Sequence, residues 1–200
     1  MRISCVQMDM RLGAPEENFA HAAALLRQAA AVQEKPDVLV LPETWNTGFF
    51  PAQALADLAD DDGRRVKAEL GALAGELGVN LVAGSVANRR GSRIYNTSYI
   101  FDRQGCCIAS YDKAPLFTPM HEDAAFACGD HLCSFQLDGV SCGIITCYDI
   151  RFPELTRSLA LRARGFSSSS AAPETMGFLL TSFTWGFFPH KKTGKSGGQV

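Results

Sequence analysis

The sequence predicts an α/β protein in which helices cover a β-sheet, and three observations lead to this fold class. Short apolar segments with strand character alternate with longer segments whose apolar residues recur at helical spacing. This strand–helix–strand–helix–strand order is followed by hairpins, which favours a layered α/β domain over an all-β one. The length of 200 residues is enough for one domain with a sizeable core.

The first half of the chain shows the clearest alternation of strands and helices. A strand is predicted over residues 2–9, and a helix begins at Pro15. Residues 38–41 are all apolar, as in a strand that is covered on both faces. A second helix follows residues 60–62, whose acidic side chains lie where a helix N-terminus favours negative charge, and Gly78 ends this helix.

The second half is predicted to consist mainly of strands. Apolar and β-branched segments between turn signals indicate strands over residues 79–86, 94–101, 106–111 and 133–137. The dipeptide Asp138-Gly139 favours a hairpin turn, and it leads into a strand over residues 140–146. Residues 117–127 are predicted to be irregular, and a helix is expected to begin near Pro153.

Three chemically active side chains directly follow predicted strands: Glu43, Lys113 and Cys147. Sites in α/β sheets form at the carboxyl edge of the strands, so we expect these side chains to meet in one site. A carboxylate there can take the proton of a thiol and return it to a leaving group. An ammonium can stabilise the oxygen of a tetrahedral intermediate, and the backbone N–H of Tyr148 is a candidate second donor.

Each of these residues also has a structural interpretation. A cysteine outside a disulfide, such as Cys147, is more commonly a small buried core residue than a nucleophile. Glu43 is equally consistent with a solvated loop glutamate, and Lys113 with a surface lysine. His121 and His131 lack the spacing of metal ligands, and we expect them to be solvated loop residues, so no metal site is predicted.

Three segments resemble the motifs of the carbon–nitrogen hydrolase family, also called the nitrilase superfamily: LPETW around Glu43, YDKAPLF around Lys113 and ITCYDIRFPEL around Cys147. The resemblance covers residues 1–165 and implies a four-layer α-β-β-α sandwich. It also implies a Glu43–Lys113–Cys147 catalytic triad that uses no metal or organic cofactor. Glu122, in HEDAAFACGD, corresponds in this resemblance to a second glutamate that positions the substrate and supports the lysine.

The segment CYDIRFPEL is most similar to the omega-amidase and Nit-like branch of that family. This similarity implies hydrolysis of the amide of a short ω-amidated acid, with release of ammonia through a thioester on Cys147. Tyr148 stands where nitrilases commonly carry tryptophan, so the resemblance favours an amidase over a true nitrilase. Three alternatives stay open: a nitrile or carbamoyl hydrolase, a catalytically impaired remnant of the family that only binds a partner or has no function, and a redox-sensing cysteine protein.

The resemblance ends after Gly165. Residues 166–200 include four consecutive serines where family members have a buried strand, and they follow neither helical nor strand periodicity. We interpret residues 166–200 as an atypical tail, either frameshifted or disordered, and expect the sandwich to be incomplete at its C-terminal end. The strands that flank the Cys147 strand are then expected to be absent, which leaves a sheet edge unpaired.

The bulk properties restrict the partners and the compartment. A net charge of −2 gives no indication of a nucleic-acid or membrane-surface partner. The N-terminus MRISCVQMDM lacks a signal-peptide pattern, and no apolar run reaches membrane-spanning length. The seven cysteines form no CxxC pair, which favours a reducing compartment. We therefore expect a cytoplasmic protein that acts on a small-molecule amide and, by the resemblance, forms a homodimer.

Overall fold

Two β-sheets that face each other form the centre of the protein. The computed structural model describes residues 1–49, 55–166 and 177–180. In chain order the strands are β1 (Ile3–Cys5), β2 (Val38–Val40), β3 (Asp60–Asp61), β4 (Asn80–Arg90), β5 (Arg93–Phe101), β6 (Cys107–Asp112), β7 (Ser134–Leu137), β8 (Val140–Ile145) and β9 (Gly177–Leu180). The helices are α1 (Pro15–Ala30), α2 (Leu55–Leu58), α3 (Arg64–Leu77), α4 (Glu122–Ala125) and α5 (Pro153–Phe166).

The two sheets differ in topology. Among the described residues, the larger sheet has six strands in the order β1-β2-β4-β5-β6, with β3 beside β4. Strands β1, β2 and β4 run parallel, and β4, β5 and β6 form an antiparallel meander. The smaller sheet contains the β7–β8 hairpin and β9, which runs parallel to β8. The ends of β2, β6 and β8 therefore each deliver a loop to the region of the candidate site.

Apolar side chains hold the layers together. Helices α1 and α3 pack on the outer face of the larger sheet, where Phe19 and Leu70 belong to one buried cluster with Leu81 of β4. A second cluster, which includes Ile100 and Ile144, lies between the two sheets. Helix α5 packs against β7 and β8. The order is helix, sheet, sheet, helix, which confirms the expected four-layer sandwich.

The start and end of α3 follow the sequence signals. The carboxylate of Asp60 accepts hydrogen bonds from the N–H groups of Arg65 and Val66 at 3.0 and 2.9 Å. These N–H groups have no acceptor within the helix, so the carboxylate of Asp60 satisfies them. Its negative charge also interacts favourably with the positive end of the helix dipole. Gly78 ends the helix in the left-handed conformation, with φ of 59°.

Two expectations about the second half need correction. Residues 117–127 are not wholly irregular, because a 3₁₀ turn over Thr118–Met120 is followed by the one-turn helix α4. The edge of β8 is not unpaired, because β9 pairs with it in parallel and places Gly177 opposite Cys142. Such pairing needs only extended backbone, so it does not require the side-chain alternation that residues 166–200 lack. The four serines, at 167–170, lie outside the described residues.

The longest helix among the described residues is α1, which has 16 residues. Within the part of the chain that the structure describes, no helix combines the length and the apolar composition that a membrane span requires.

Candidate active site

Glu43 lies in the loop that follows β2, and its side chain is completely buried. Strand β4 pins this loop through Ser85. The Ser85 hydroxyl accepts a hydrogen bond from the Thr44 N–H at 3.0 Å, and its backbone carbonyl accepts one from the Trp45 N–H at 3.2 Å. In return the Ser85 N–H donates to the carbonyl of Pro42 at 3.1 Å. The backbone on both sides of Glu43 is therefore fixed by the neighbouring strand.

Gly84 makes this close approach of loop and strand possible. It lies in an irregular part of β4, where the register to β5 shifts between Ala83 and Val86, and its φ is +34°. A Cβ atom at this position would lie 2.1 Å from the carbonyl oxygen of Pro42. Any side chain larger than hydrogen would displace the loop that carries Glu43.

Lys113 directly follows β6, and its side chain is also completely buried. Its backbone N–H donates to the carbonyl of Asn96 at 2.9 Å, and its carbonyl accepts from the N–H of Gly129 at 2.9 Å. Its Nζ donates to Glu43 Oε1 at 3.1 Å and to both carboxylate oxygens of Glu122 at 2.8 Å. A buried ammonium requires such charged acceptors because burial removes its hydration.

The two carboxylates around Lys113 are satisfied differently. Both oxygens of Glu122, the first residue of α4, bond the lysine, and Oε2 also accepts the N–H of Phe117 at 2.6 Å. In Glu43, Oε1 accepts two hydrogen bonds, but the buried Oε2 has no partner among the described residues. Both oxygens of Glu122 are therefore occupied by hydrogen bonds, whereas one oxygen of Glu43 can still accept a proton.

The electrostatics of the cluster support proton exchange at Glu43. Burial raises the pKa of Glu43, and the negative charge of Glu122 acts in the same direction, against the lowering effects of Lys113 and Asn96. Burial alone would lower the pKa of Lys113, but the charges of Glu43, Glu122 and Cys147 outweigh it and raise that pKa. The lysine therefore stays charged, and Glu43 holds a proton more readily than an exposed glutamate does.

Cys147 opens a 3₁₀ turn over Cys147–Arg151 at the end of β8. Its φ of +49° lies in the left-handed region, which is uncommon for a residue with a side chain and is often found at functional sites. The thiol is half-buried, and its charge contributes to the raised pKa of Lys113, so the sulfur lies within electrostatic reach of the ammonium.

Asp149 holds the turn in this conformation. Its carboxylate accepts the N–H of Thr146 at 2.7 Å, while the Thr146 side chain accepts the N–H of Asp149 in return. The same carboxylate oxygen accepts the hydroxyl of Tyr111, which belongs to β6, at 2.7 Å. Asp149 thus connects the turn that carries Cys147 to the strand that leads to Lys113. Burial raises the pKa of Asp149 to about 6.

The ring of Tyr148 packs in a row of aromatic side chains. Its centroid lies 4.9 Å from that of Phe117 and 5.3 Å from that of Phe152, in tilted and edge-to-face arrangements. The N–H of Tyr148 is one of the first amides of the 3₁₀ turn, where no acceptor exists within the turn.

Neither His121 nor His131 belongs to this cluster, although His121 directly precedes Glu122 as the N-cap of α4. Both are exposed, and His131 bonds the neighbouring Asp130. Among the described residues, no group of three or more histidine, cysteine or acidic side chains is arranged to hold a metal ion.

The structure brings together most of the residues that the sequence indicated. Glu43, Lys113 and Glu122 are in direct contact, and Cys147 interacts with Lys113. Sequence reasoning assigned no function to Asn96, whose side-chain amide donates to both glutamates. The available signal was a polar residue in the middle of the predicted strand, within the run Asn96-Thr97-Ser98.

Comparison with known proteins identifies the same family that the motifs around Glu43, Lys113 and Cys147 resemble. The carbon–nitrogen hydrolase family model matches residues 2–165. A 2-oxoglutaramate amidase of Bacillus subtilis is 45% identical over 155 residues, or 78% of this chain. An omega-amidase NIT2 of Danio rerio is 31% identical over 155 residues, or 72% of this chain. The crystal structure of an amidase from Nesterenkonia sp. is 26% identical and superposes with a TM-score of 0.75 over 91% of this chain.

The similarity covers only part of each of these proteins. The matched region is 58% of the Bacillus subtilis protein, 53% of the Danio rerio protein and 64% of the Nesterenkonia chain. The chain thus spans less than two thirds of the length of the relatives that it matches.

Proposed function

The chain belongs to the carbon–nitrogen hydrolase family, and from this membership we propose that it hydrolyses the terminal amide of a short ω-amidated acid and releases ammonia. The relatives named 2-oxoglutaramate amidase and omega-amidase support this substrate class. One observation carries the proposal. The buried ammonium of Lys113 is held between the carboxylates of Glu43 and Glu122. Of these two carboxylates, Glu43 alone keeps an oxygen that has no hydrogen-bond partner among the described residues.

In the first step Cys147 is the nucleophile and Glu43 is the general base. The thiol proton passes to Glu43, the sulfur bonds to the amide carbon, and the carbonyl π electrons move to the oxygen. The ammonium of Lys113 and the backbone N–H of Tyr148 stabilise this oxyanion. The raised pKa of Glu43 suits this role, because a carboxylate with a higher pKa accepts the thiol proton more readily.

In the second step the tetrahedral intermediate collapses to a thioester. Glu43 returns its proton to the amide nitrogen, the C–N bond breaks, and ammonia leaves. Glu43 then takes a proton from water, whose oxygen attacks the thioester carbon. Breakdown of this second intermediate breaks the C–S bond and releases the carboxylic acid, and Glu43 returns its proton to the sulfur, which restores the Cys147 thiol and the ionised base.

The two glutamates have separate roles in this scheme. Glu122 bonds Lys113 through both oxygens and the N–H of Phe117 through one, so it is saturated with donors. It positions the ammonium and, through it, the substrate. The row of Phe117, Tyr148 and Phe152 beside Cys147 offers apolar surface to the carbon chain of the substrate.

The compartment and the assembly belong to the same proposal. The seven cysteines all lie in the described part of the chain and form no disulfide, which fits a reducing compartment such as the cytoplasm. A homodimer is the expected assembly, and light scattering of the purified protein measures it.

Ammonia release from 2-oxoglutaramate and related ω-amides tests the proposal. We expect turnover by the wild-type protein and none by Cys147→Ala, while Cys128→Ala, which removes an exposed thiol, keeps wild-type activity. A folded wild-type protein that releases no ammonia from any short ω-amide would instead support the catalytically impaired family member. Retained activity in Cys147→Ala would refute the assignment of the nucleophile.

A further inference from the structure

Asn96 lies in the middle of the buried cluster, on strand β5. Its side-chain Nδ2 donates to Glu43 Oε1 at 2.9 Å and to Glu122 Oε1 at 3.2 Å. Both neighbours are carboxylates, which only accept when ionised, so the NH₂ group and not the carbonyl oxygen of the amide must face them. One side chain therefore bridges the two acids that flank Lys113.

The backbone of Asn96 contacts the third member of the cluster. Its carbonyl accepts the N–H of Lys113 at 2.9 Å, so Asn96 bonds Glu43, Glu122 and Lys113 together. Its position is fixed from β4, because Asn96 pairs with Ala87 in the β4–β5 ladder. Ala87 is in turn held by Asn46, whose side-chain oxygen accepts the Ala87 N–H at 2.9 Å. The cluster is therefore built around a rigid strand position.

The contacts of Asn96 make the two oxygens of Glu43 inequivalent. Oε1 accepts Nδ2 of Asn96 at 2.9 Å and Nζ of Lys113 at 3.1 Å, whereas Oε2 has no partner among the described residues. We propose that Asn96 is a positioning residue for the Glu43 base: it occupies Oε1, and thereby makes Oε2 the oxygen that receives the thiol proton and returns it to the leaving nitrogen. This inference rests on the proposed function, in which Glu43 is the base.

The groups around Glu43 determine how its pKa changes when Asn96 is removed. Lys113 comes from the end of β6, Glu122 from α4 and Asn96 from β5, while Asp149, in the turn after β8, lies within electrostatic reach of Glu43. Burial and Glu122 raise the pKa of Glu43, while Lys113 and Asn96 lower it. Removal of the amide donor takes away one stabilising contact of the ionised form, so Glu43 holds its proton to higher pH.

The pH dependence of kcat/KM in Asn96→Ala tests the inference. Activity rises with pH as Glu43 ionises, so we expect the acidic limb to move up by about one pH unit. At neutral pH we expect kcat to fall at least about tenfold with little change in KM, because the lost contact acts on proton transfer and not on substrate binding. Asn96→Ser, which keeps one donor, should give a smaller shift and provides a second variant if Asn96→Ala does not fold.

Asn80→Ala is the matched control. Asn80 is also a buried asparagine, and its Nδ2 also donates two hydrogen bonds, to Asp138 Oδ2 at 2.7 Å and to the carbonyl of Asp37 at 3.0 Å. It lies at the other end of the sheet, at the start of β4, so its removal should lower stability and leave the acidic limb in place. An equal shift in Asn80→Ala, or an unshifted limb in a folded Asn96→Ala, would overturn the inference.

The rate of Cys147 alkylation by iodoacetamide, followed by peptide mapping against pH, separates this inference from the proposed function. This rate rises when Glu43 accepts the proton of the Cys147 thiol, as the inference requires, and its measurement needs no amide substrate. If the wild-type protein hydrolyses no ω-amide, the proposed function fails, but a shifted alkylation profile in Asn96→Ala still supports the role of Asn96. An alkylation profile identical to that of the wild type would contradict it.

Discussion

Individual hydrogen bonds distinguish Glu43 from Glu122 and underlie the separate roles that we propose for them. Both carboxylates are buried and contact the same ammonium, so charge and burial alone do not distinguish them. The difference is that Glu122 uses both oxygens to bind Lys113 and Phe117, whereas Glu43 leaves Oε2 unbonded among the described residues. A general base needs such a free lone pair to accept a proton, whereas a carboxylate that only binds the lysine ammonium does not.

In the proposed mechanism, replacement of Glu43 by glutamine removes the general base but keeps the shape of the site. We expect Glu43→Gln to lower kcat for ammonia release by about 10² to 10⁴-fold, the usual contribution of general acid–base catalysis. Glu34→Gln, which alters an exposed pair with Arg2, serves as the control and should keep wild-type kcat. Ammonia release at saturating substrate measures both, and a Glu43→Gln protein with wild-type kcat would exclude Glu43 as the base.

We expect Asp149 to make the stability of the fold depend on pH. Burial raises its pKa from an ordinary value of 3.8 to about 6, so the folded state holds the proton more tightly than the unfolded state. Between about pH 4 and pH 6 the folded chain therefore binds more protons than the unfolded chain, and stability falls as pH rises. A difference of about two pKa units corresponds to about 3 kcal/mol.

Urea denaturation at about pH 4 and about pH 7 measures this contribution. The amide introduced by Asp149→Asn does not titrate, so we expect this variant to lose less unfolding free energy between these pH values than the wild type, by up to about 3 kcal/mol. Equal losses in the two proteins would show that Asp149 has an ordinary pKa in the fold.

At the scale of elements, the approach of β4 to the loop after β2 places Glu43. We expect Gly84→Ala to lower the free energy of unfolding by at least about 3 kcal/mol and to reduce activity, because its Cβ collides with backbone. Gly91→Ala is the matched control: Gly91 also has positive φ, at 60°, but nothing lies within 4 Å of a Cβ there. Its cost should be about 1 kcal/mol, with kcat unchanged. Thermal melts and kinetics of the two variants decide the matter, and similar losses in both would contradict the role assigned to Gly84.

The elements were largely predictable from the sequence, but their long-range pairing was not. Local signals such as Pro15, Gly78 and Asp138-Gly139 mark helix and hairpin boundaries that the structure contains. The pairing of β9 with β8 depends on backbone hydrogen bonds between segments far apart in sequence, which leave no periodic pattern in the side chains.

The same limit applies to the candidate site. Glu43, Lys113 and Cys147 could be found because each follows a predicted strand within a recognisable motif. Asn96 and the bond between Tyr111 and Asp149 could not, because they depend on strand register and on how two sheets face each other. The register decides which side of β5 faces the carboxylates, and one sequence does not specify it.

For the whole molecule, an ion-pair network joins the two sheets at the end opposite the candidate site. Arg103, in the turn between β5 and β6, donates through Nη2 to Asp138 of the β7–β8 turn at 2.6 Å and to Asp37, just before β2, at 2.9 Å. It also donates to the carbonyl of Gly78 at 3.2 Å. A network of several contacts constrains the sheets more than one exposed pair does.

Removal of this network should lower the free energy of unfolding and leave the catalytic rate unchanged. We expect Arg103→Met to lower the free energy of unfolding by about 1–2 kcal/mol, with kcat unchanged. Arg27→Met, which breaks an exposed pair with Glu76 between α1 and α3, is the control and should cost less than about 0.5 kcal/mol. Equal effects of the two variants, measured by urea denaturation, would show that the network adds nothing beyond a single pair.

The most direct test of the central claim is the mass of the protein during turnover. The wild-type protein is mixed with an ω-amide, quenched in acid and analysed by intact-protein and peptide mass spectrometry. We expect an added mass equal to the acyl group, located on Cys147 and absent in Cys147→Ala. Ammonia release without any adduct on Cys147, or an adduct on another cysteine that supports the same turnover, would contradict the claim.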